Sequence, residues 1–213
     1  MKLSAYFTTR NAEQMRYPFQ ESIRSTFNSF DEIVVCDTSD NKDNTKEVLD
    51  QLAKEFGKEF KIITPDFIDW EAKNSGIYDG VAKATARKYC TGDYLWQQDI
   101  DEILEENAKE KILNVIKQAD LNEELPLAAT PVIEFWGSKG KVRIDTNPWK
   151  WRISKNYPWL THGIPSMFRK QIDGLLYAQH GTDGCNFIDK RTNNEVKFLN
   201  FIKPEVEQVR RWR

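Results

Sequence analysis

The stretch KATARKYCTGDYLWQQDIDEIL, residues 83–104, decides the fold. Its first part continues a helix that reads from Ser75 to Tyr89, with Ile77, Val81, Ala84 and Lys88 in a row at helical spacing. Gly92 ends that unit, and Tyr94 to Gln98 is a short apolar strand. The strand runs straight into the carboxylates of Asp99, Asp101 and Glu102. A helix that hands over through a glycine to such a strand is half of a βαβ unit. The question is what those acids face.

The same alternation holds upstream. Leu3 to Thr8 is a β-type run, and Tyr17 to Phe30 has Phe19, Ile23, Phe27 and Phe30 on one helical face, with Pro18 in its first turn. Glu32 to Cys36 (EIVVC) is continuously apolar after its first residue, as in a strand buried on both faces. Asn44 to Phe56 has helical spacing, an Asn44–Glu47 pair resembling a capping box, and a stop at Gly57. Phe60 to Thr64 reads as strand. This order implies an α/β fold with a mostly parallel sheet flanked by helices. Ligands in such sheets bind beyond the carboxyl ends of the strands. Three polar clusters fall there: Thr8-Thr9-Arg10, Asp37-Thr38-Ser39-Asp40, and Asp99 to Glu102.

The rest differs. Asn107 to Ala119 reads as helix and Leu127 to Phe135 as strand. Short strands, turns and many aromatics follow, including Trp136, Trp149, Trp151 and Trp159. These rings are core filler or the wall of a groove. One domain, 1–213, is expected, with a soft division near residue 120. The last residues, VEQVRRWR, are a basic amphipathic run without a helix stop, so the natural chain is expected to continue past Arg213.

Composition bounds the function. Of the residues 39% are hydrophobic and 30% charged, and net charge is -2, which argues against disorder, a membrane bundle or a nucleic-acid binder working through global charge. The three cysteines, Cys36, Cys90 and Cys185, are widely spaced and fit neither a disulfide framework nor a zinc knot. No apolar run reaches transmembrane length, and the N-terminus lacks a signal-peptide pattern. A cytoplasmic protein is expected, at most peripheral to the inner face of a membrane. There is no phosphate loop, no G-x-G-x-x-G after the first strand and no G-x-S-x-G elbow. Ser75-Gly76 is a weakly signalled phosphate-binding helix start.

If the chain stays extended through Asp99 and Asp101, alternation points both carboxylates the same way. Converging like charges are a poor arrangement alone, and a divalent cation relieves them. Mg²⁺ is typically held by one or two carboxylates plus substrate phosphates, and Mn²⁺ accepts similar ligands. The plainer alternative is a solvated turn rich in acids. For Asp37, the alternatives are a hydrogen bond to a base or ribose and a helix-capping role, for which Asp40, Asp43 and Asn44 are better suited. Arg10 can pair with a phosphate or with a neighbouring acid.

Together VVCDTSDNKDNT (34–45), KATARKYCTGDY and the D-x-D of Asp99-Ile100-Asp101 resemble the nucleotide-binding half of family-2 glycosyltransferases of the GT-A fold. The resemblance covers Ser4 to Leu104. PWKWRISKNYPWLTHGIP (148–165) is similar to the family's arginine-containing strand leading to a histidine. The resemblance implies a nucleotide-sugar-binding half, 1–120, and a loop- and aromatic-rich acceptor-binding half, 121–213. It implies transfer of a sugar from a nucleotide-diphosphate donor, a UDP-sugar first, to a glycan, lipid-linked or protein acceptor, with inversion and with Mn²⁺ or Mg²⁺. Asp37 would contact the base, with Thr8, Thr9 and Arg10 nearby. Asp99 would lie near the ribose and the metal's water shell, and Asp101 would be the direct metal ligand.

The sequence departs from the family in places. Lys88 follows Ala86-Arg87 where Asn is common, Ile100 separates the acids, and Gly163 follows His162. An inverting transfer needs a general base. Asp183 in the Gly-flanked QHGTDG turn is the first candidate, with Asp173 and Asp189 behind it; His180 is a candidate third metal ligand, and His162 is a structural or an acceptor-side histidine. The competing functions are a sugar-1-phosphate nucleotidyltransferase, disfavoured because FTTRNAEQMR has no glycine, and a non-catalytic nucleotide-sugar-binding module.

Overall fold

The computed structural model describes residues 1–65, 75–123, 126–144, 149–162, 168–172, 175–180, 185–189, 194–198 and 208–211, and beyond residue 162 only the backbone is considered. The chain order is β1 (Leu3–Thr9), α1 (Phe19–Phe27), β2 (Glu32–Asp37), α2 (Thr45–Phe56), a 3-10 turn, β3 (Phe60–Ile63), α3 (Ser75–Lys88), β4 (Tyr94–Gln97), β5 (Glu102–Leu104) and α4 (Ala108–Ala119). Among the described residues these strands follow: β6 (Leu127–Trp136), β7 (Ser138–Val142), β8 (Trp149–Lys155), β9 (Leu160–His162), β10 (Phe168–Ile172), β11 (Leu175–His180), β12 (Cys185–Asp189), β13 (Asn194–Phe198) and β14 (Gln208–Arg211).

The main sheet has the order β3-β2-β1-β4-β8-β6-β14-β5, with β7 hung on β6. From β3 to β4 every pairing is parallel. β8 then inserts antiparallel between β4 and β6, so β6 again runs in the direction of β4. β14 lies parallel to β6 and antiparallel to β5. Strands β9 to β13 form a second, antiparallel sheet.

The α/β architecture is the one expected, and the period-two alternation of β1 explains how both faces are covered. Leu3, Ala5 and Phe7 pack with Phe19 and Ile23 of α1, Leu49 and Leu52 of α2, and Ile112 and Val115 of α4. Tyr6 points to the opposite face, joining Val34, Cys36 and the α3 residues Ala82 and Ala86. The apolar run Ile33–Cys36 of β2 is buried, as a strand covered on both faces requires, and Glu32 and Asp37 at its ends are buried with it. Fully burying one such large side chain contributes about 1.5–3 kcal/mol.

Gly92 ends α3's unit for a reason of space: a Cβ there would lie 2.6 Å from Ser4 Oγ and 2.7 Å from Ser4 N. Its N–H donates to Ser4 Oγ at 2.8 Å, so β1 and the start of β4 are drawn together at that point. Both described cysteines are buried, and desolvation pushes the Cys36 and Cys90 thiols up to about 12. They are inert core residues.

Several local expectations are corrected. The first helix runs only Phe19–Phe27, with Pro18 at its N-cap rather than inside it. Asn44 makes no capping bond; Asp43 instead accepts from Thr45 N at 3.0 Å and Gln14 N at 2.7 Å, which holds its carboxyl below the usual range despite burial. The basic C-terminal run contains a strand, β14. The extended chain expected through Asp99 and Asp101 is a turn, closed by Glu102 N donating to Asp99 O at 3.1 Å. Among the described residues, no helix is long and apolar enough to cross a membrane.

Candidate active site

The three polar clusters meet at the carboxyl edge of the parallel strands. Thr9 and Asp37 are register partners at the ends of β1 and β2. Thr38 reinforces that join, its N–H and hydroxyl donating to Thr9 O at 2.8 and 2.7 Å. Asn11, in a left-handed conformation, donates its N–H to Ser39 Oγ at 3.0 Å and its amide to Asp40 Oδ1 at 2.8 Å. The two loops thus form one floor. Above it lies a cleft of about 720 Å³, lined by Thr8, Thr9, Arg10, Thr38, Asp79, Lys83, Asp99 and Asp101 among others. That volume falls within the range of small-molecule sites.

Asp37 sits under this floor, 1% exposed. Its Oδ1 accepts from Thr9 Oγ1 (2.9 Å), Ser39 N (3.0 Å) and Ser39 Oγ (2.6 Å). Its buried Oδ2 has no hydrogen-bond partner among the described residues. A buried carboxylate oxygen without a donor costs free energy unless a ligand supplies one.

The other end of the cleft is a charge network. Asp99 Oδ1 lies 3.2 Å from Lys83 Nζ and Oδ2 lies 2.9 Å from Arg152 Nη2. Lys83, on α3, also contacts Asp79 at 3.0 Å, and Thr8 Oγ1 donates to Asp79 Oδ1 at 3.1 Å. Burial would lower the lysine's pKa, but Asp99 and Asp79 outweigh it and raise the value. Arg152 behaves alike, with Glu102 and Asp99 overcoming desolvation. Arg152 reaches Glu102, which is fully buried, and Gln97, whose amide donates to Asp99 Oδ1 at 2.8 Å. Glu102 thereby gains a role: it is the buried counter-ion of Arg152. The turn is further held by Trp96 Nε1 donating to Gln98 Oε1 and Gln98 Nε2 to Glu102 O.

Asp99 is therefore neutralised by two cations of the protein. Asp101, half-buried in the turn, lines the cleft beside it. Among the described residues, no group of three or more His, Cys, Asp or Glu converges. A closed protein cage for a metal is thus not formed by these residues. The donor set fits an ion shared between a carboxylate and substrate phosphates.

The remaining expectations divide. Thr8, Thr9, Arg10, Asp99 and Asp101 line one cleft, with Asp37 beneath. His162 is buried away from it, hydrogen-bonded to Tyr6 OH at 2.6 Å; burial raises that phenol to about 12. Arg87 is also structural: it donates to Leu160 O, Ser154 Oγ and Lys155 O, tying α3 to β8 and β9. Asp173 and Asp183 lie outside the described residues, and only the backbone of His180 and Asp189 is described, at the ends of β11 and β12. Lys83 and Asp79 were not singled out by the sequence, and the arginine-containing strand was, without the partner that Arg152 meets. A charged residue on a helix reads as solvated, and only the fold brings Arg152 to Asp99.

A parallel nucleotide-type sheet with an acidic turn at its carboxyl edge defines a GT-A-like α/β protein. The model of glycosyl transferase family 2 matches residues 4–123, more than half of the chain, and the protein belongs to that family. Crystal structures of S. aureus TarS 1-349 have a similar fold. One is a structure of TarS 1-349 and one is TarS 1-349 in complex with UDP, each with a TM-score of 0.50, 17% identity, and coverage of 73% of this chain and 47% of that one. The complex with UDP-GlcNAc gives 0.50 and 17%, covering 73% and 46%. The chain thus spans about half the length of these neighbours. No curated protein matches it.

Proposed function

We propose that the protein transfers a sugar from a nucleoside-diphosphate donor, a UDP-sugar first, to a hydroxyl of a glycan, lipid-linked or protein acceptor. The observation that carries this reading is the acidic turn lining one cleft whose floor covers a buried carboxylate, Asp37. The Asp37 carboxylate, with a spare acceptor oxygen, is buried beneath the floor of the cleft, and Asp99 and Asp101 line the cleft itself. TarS, of similar fold, has been crystallised with UDP and with UDP-GlcNAc.

In this reading Asp37 accepts a ring N–H of the base through Oδ2, while Thr9 and Ser39 fix Oδ1. Uracil, thymine and guanine offer such an N–H; cytosine does not. Thr8 and Arg10 border the nucleoside. Lys83, a buried lysine that lines the cleft, is the cation assigned to the diphosphate. Asp99 holds Lys83 and Arg152 in place and faces the ribose. Asp101 is the direct ligand of Mn²⁺ or Mg²⁺, together with donor phosphates. The metal supplies Lewis-acid neutralisation of the departing diphosphate. Inversion requires a base on the acceptor side, and Asp183 is assigned that role ahead of Asp173 and Asp189.

The test is incubation with UDP-, GDP-, CMP- and dTDP-sugars and Mn²⁺ or Mg²⁺, following nucleotide release. Nucleoside diphosphate release that Asp101→Ala abolishes supports the reading. Pyrophosphate release from a nucleoside triphosphate and a sugar phosphate would replace it with nucleotidyl transfer. Tight donor binding without turnover in the presence of varied acceptors would reduce the protein to a binding module.

A further inference from the structure

The β6–β7 hairpin concentrates exposed apolar surface. Trp136, Val142 and Ile144 are 53%, 50% and 94% exposed, and among the described residues the other large exposed hydrophobics, Met1, Met15 and Tyr89, lie in other segments. Large apolar groups gathered on one exposed patch mark a contact site rather than chance exposure.

The charge of the hairpin restricts the partner. Residues 135–144, FWGSKGKVRI, carry Lys139, Lys141 and Arg143 and no acid. Arg143 is partly engaged, 5.4 Å over the Trp136 ring and 3.6 Å from Glu134. Lys141 stays exposed. The neighbouring β14 brings Arg210 and Arg211 into register with Glu134 and Phe135. An indole, two aliphatic side chains and interspersed cations match a lipid interface. Trp sits at headgroup level, aliphatic groups enter the acyl boundary, and Lys and Arg meet anionic lipid.

The topology gives the hairpin a direction. β6 runs in the direction of β4 and pairs with the start of β8 at Pro131, so Trp136 stands roughly 15 Å further along than that level. The end of β6 therefore projects past the carboxyl edge, the same edge that carries the cleft.

We infer that this hairpin docks the protein onto an anionic membrane surface, with the cleft's edge turned toward the lipid. The inference stands apart from the donor reading, since its test needs no nucleotide. The full chain is sedimented with vesicles of phosphatidylcholine alone, or of equal parts phosphatidylcholine and phosphatidylglycerol. Binding to the mixed vesicles, weakened by salt and nearly absent on neutral ones, is the expected result. Val142→Ser/Ile144→Ser should lose most of the bound fraction, and Lys141→Gln should weaken binding about fivefold. All these side chains are exposed, so an unchanged circular dichroism spectrum and melting profile are expected alongside. A parent chain that ignores anionic vesicles, or variants that bind as the parent does, would overturn the inference. So would a parent dimer in solution that the double variant dissociates, because the hairpin would then serve a second copy.

Discussion

The guanidinium of Arg152 lies 2.9 Å from the Asp99 carboxylate and also reaches the buried Glu102. A residue of the second half of the chain thus clamps the acidic turn of the first. Arg152→Met should leave Glu102, with no exposure, without its cation. Breaking such a buried pair costs about 3–5 kcal/mol. Urea unfolding should show the loss as a lowered midpoint, and Arg152→Met/Glu102→Gln should recover part of it. A variant as stable as the parent would sink the clamp.

Lys83 and Arg152 share Asp99, but they are not equivalent. Lys83 lines the cleft, whereas Arg152 is packed behind the turn. Lys83→Gln should therefore weaken UDP binding by about tenfold, near 1.4 kcal/mol. It should leave uridine binding little changed, because uridine has no phosphate. Calorimetric titration with both ligands separates the cases. Equal losses for UDP and uridine would assign Lys83 to the scaffold, not to the diphosphate.

Asp37→Asn tests the base end. The parent should prefer UDP and GDP to CDP, because Oδ2 needs a donor. The asparagine amide offers a donor in place of that acceptor. The variant should lose about tenfold in UDP affinity, and its UDP-to-CDP preference should narrow. Competition binding measures the ratio directly. An unchanged preference would show that the base lies elsewhere.

The parallel half of the fold was legible because burial on two faces leaves an unbroken apolar run. EIVVC carries that signal, and all of its residues are buried. The cleft residues were legible because polar clusters at the ends of such strands converge in three dimensions. The acidic turn was misread in its local geometry. Alternation holds only for an extended chain, and the Glu102 N–H to Asp99 O bond turns the chain there. The strand Glu102–Leu104 follows, too short to signal itself and paired, among the described residues, with distant β14. Lys83, and the pairing of Arg152 with Asp99, escaped for a related reason. Their neutralising partner lies 16 and 53 residues away, and no periodicity records a pairing of that range.

Glu32 supplies a control at the opposite edge of the sheet. It starts β2 and is 2% exposed. Burial alone would raise its pKa. Hydrogen bonds from Lys61 Nζ (2.5 Å), Ser4 Oγ, Thr91 N (2.7 Å) and Thr91 Oγ1 (2.9 Å) outweigh burial and lower it to about 2. A depressed folded-state pKa favours the folded chain above the unfolded value, near 4.3, and that contribution fades as pH falls toward 2. Its size is on the order of 2–3 kcal/mol. Glu32→Gln should therefore destabilise the protein by about that amount at pH 7. The gap between parent and variant should close between about pH 4.3 and 2. Urea midpoints across that range, taken as differences, cancel the titration of other acids. Nucleotide binding at pH 7 should be unaffected, since Glu32 lies at the amino ends of the strands whose carboxyl ends form the cleft. A constant gap across the range would show that the ionised Glu32 is not what holds β1, β3 and the Thr91 turn together.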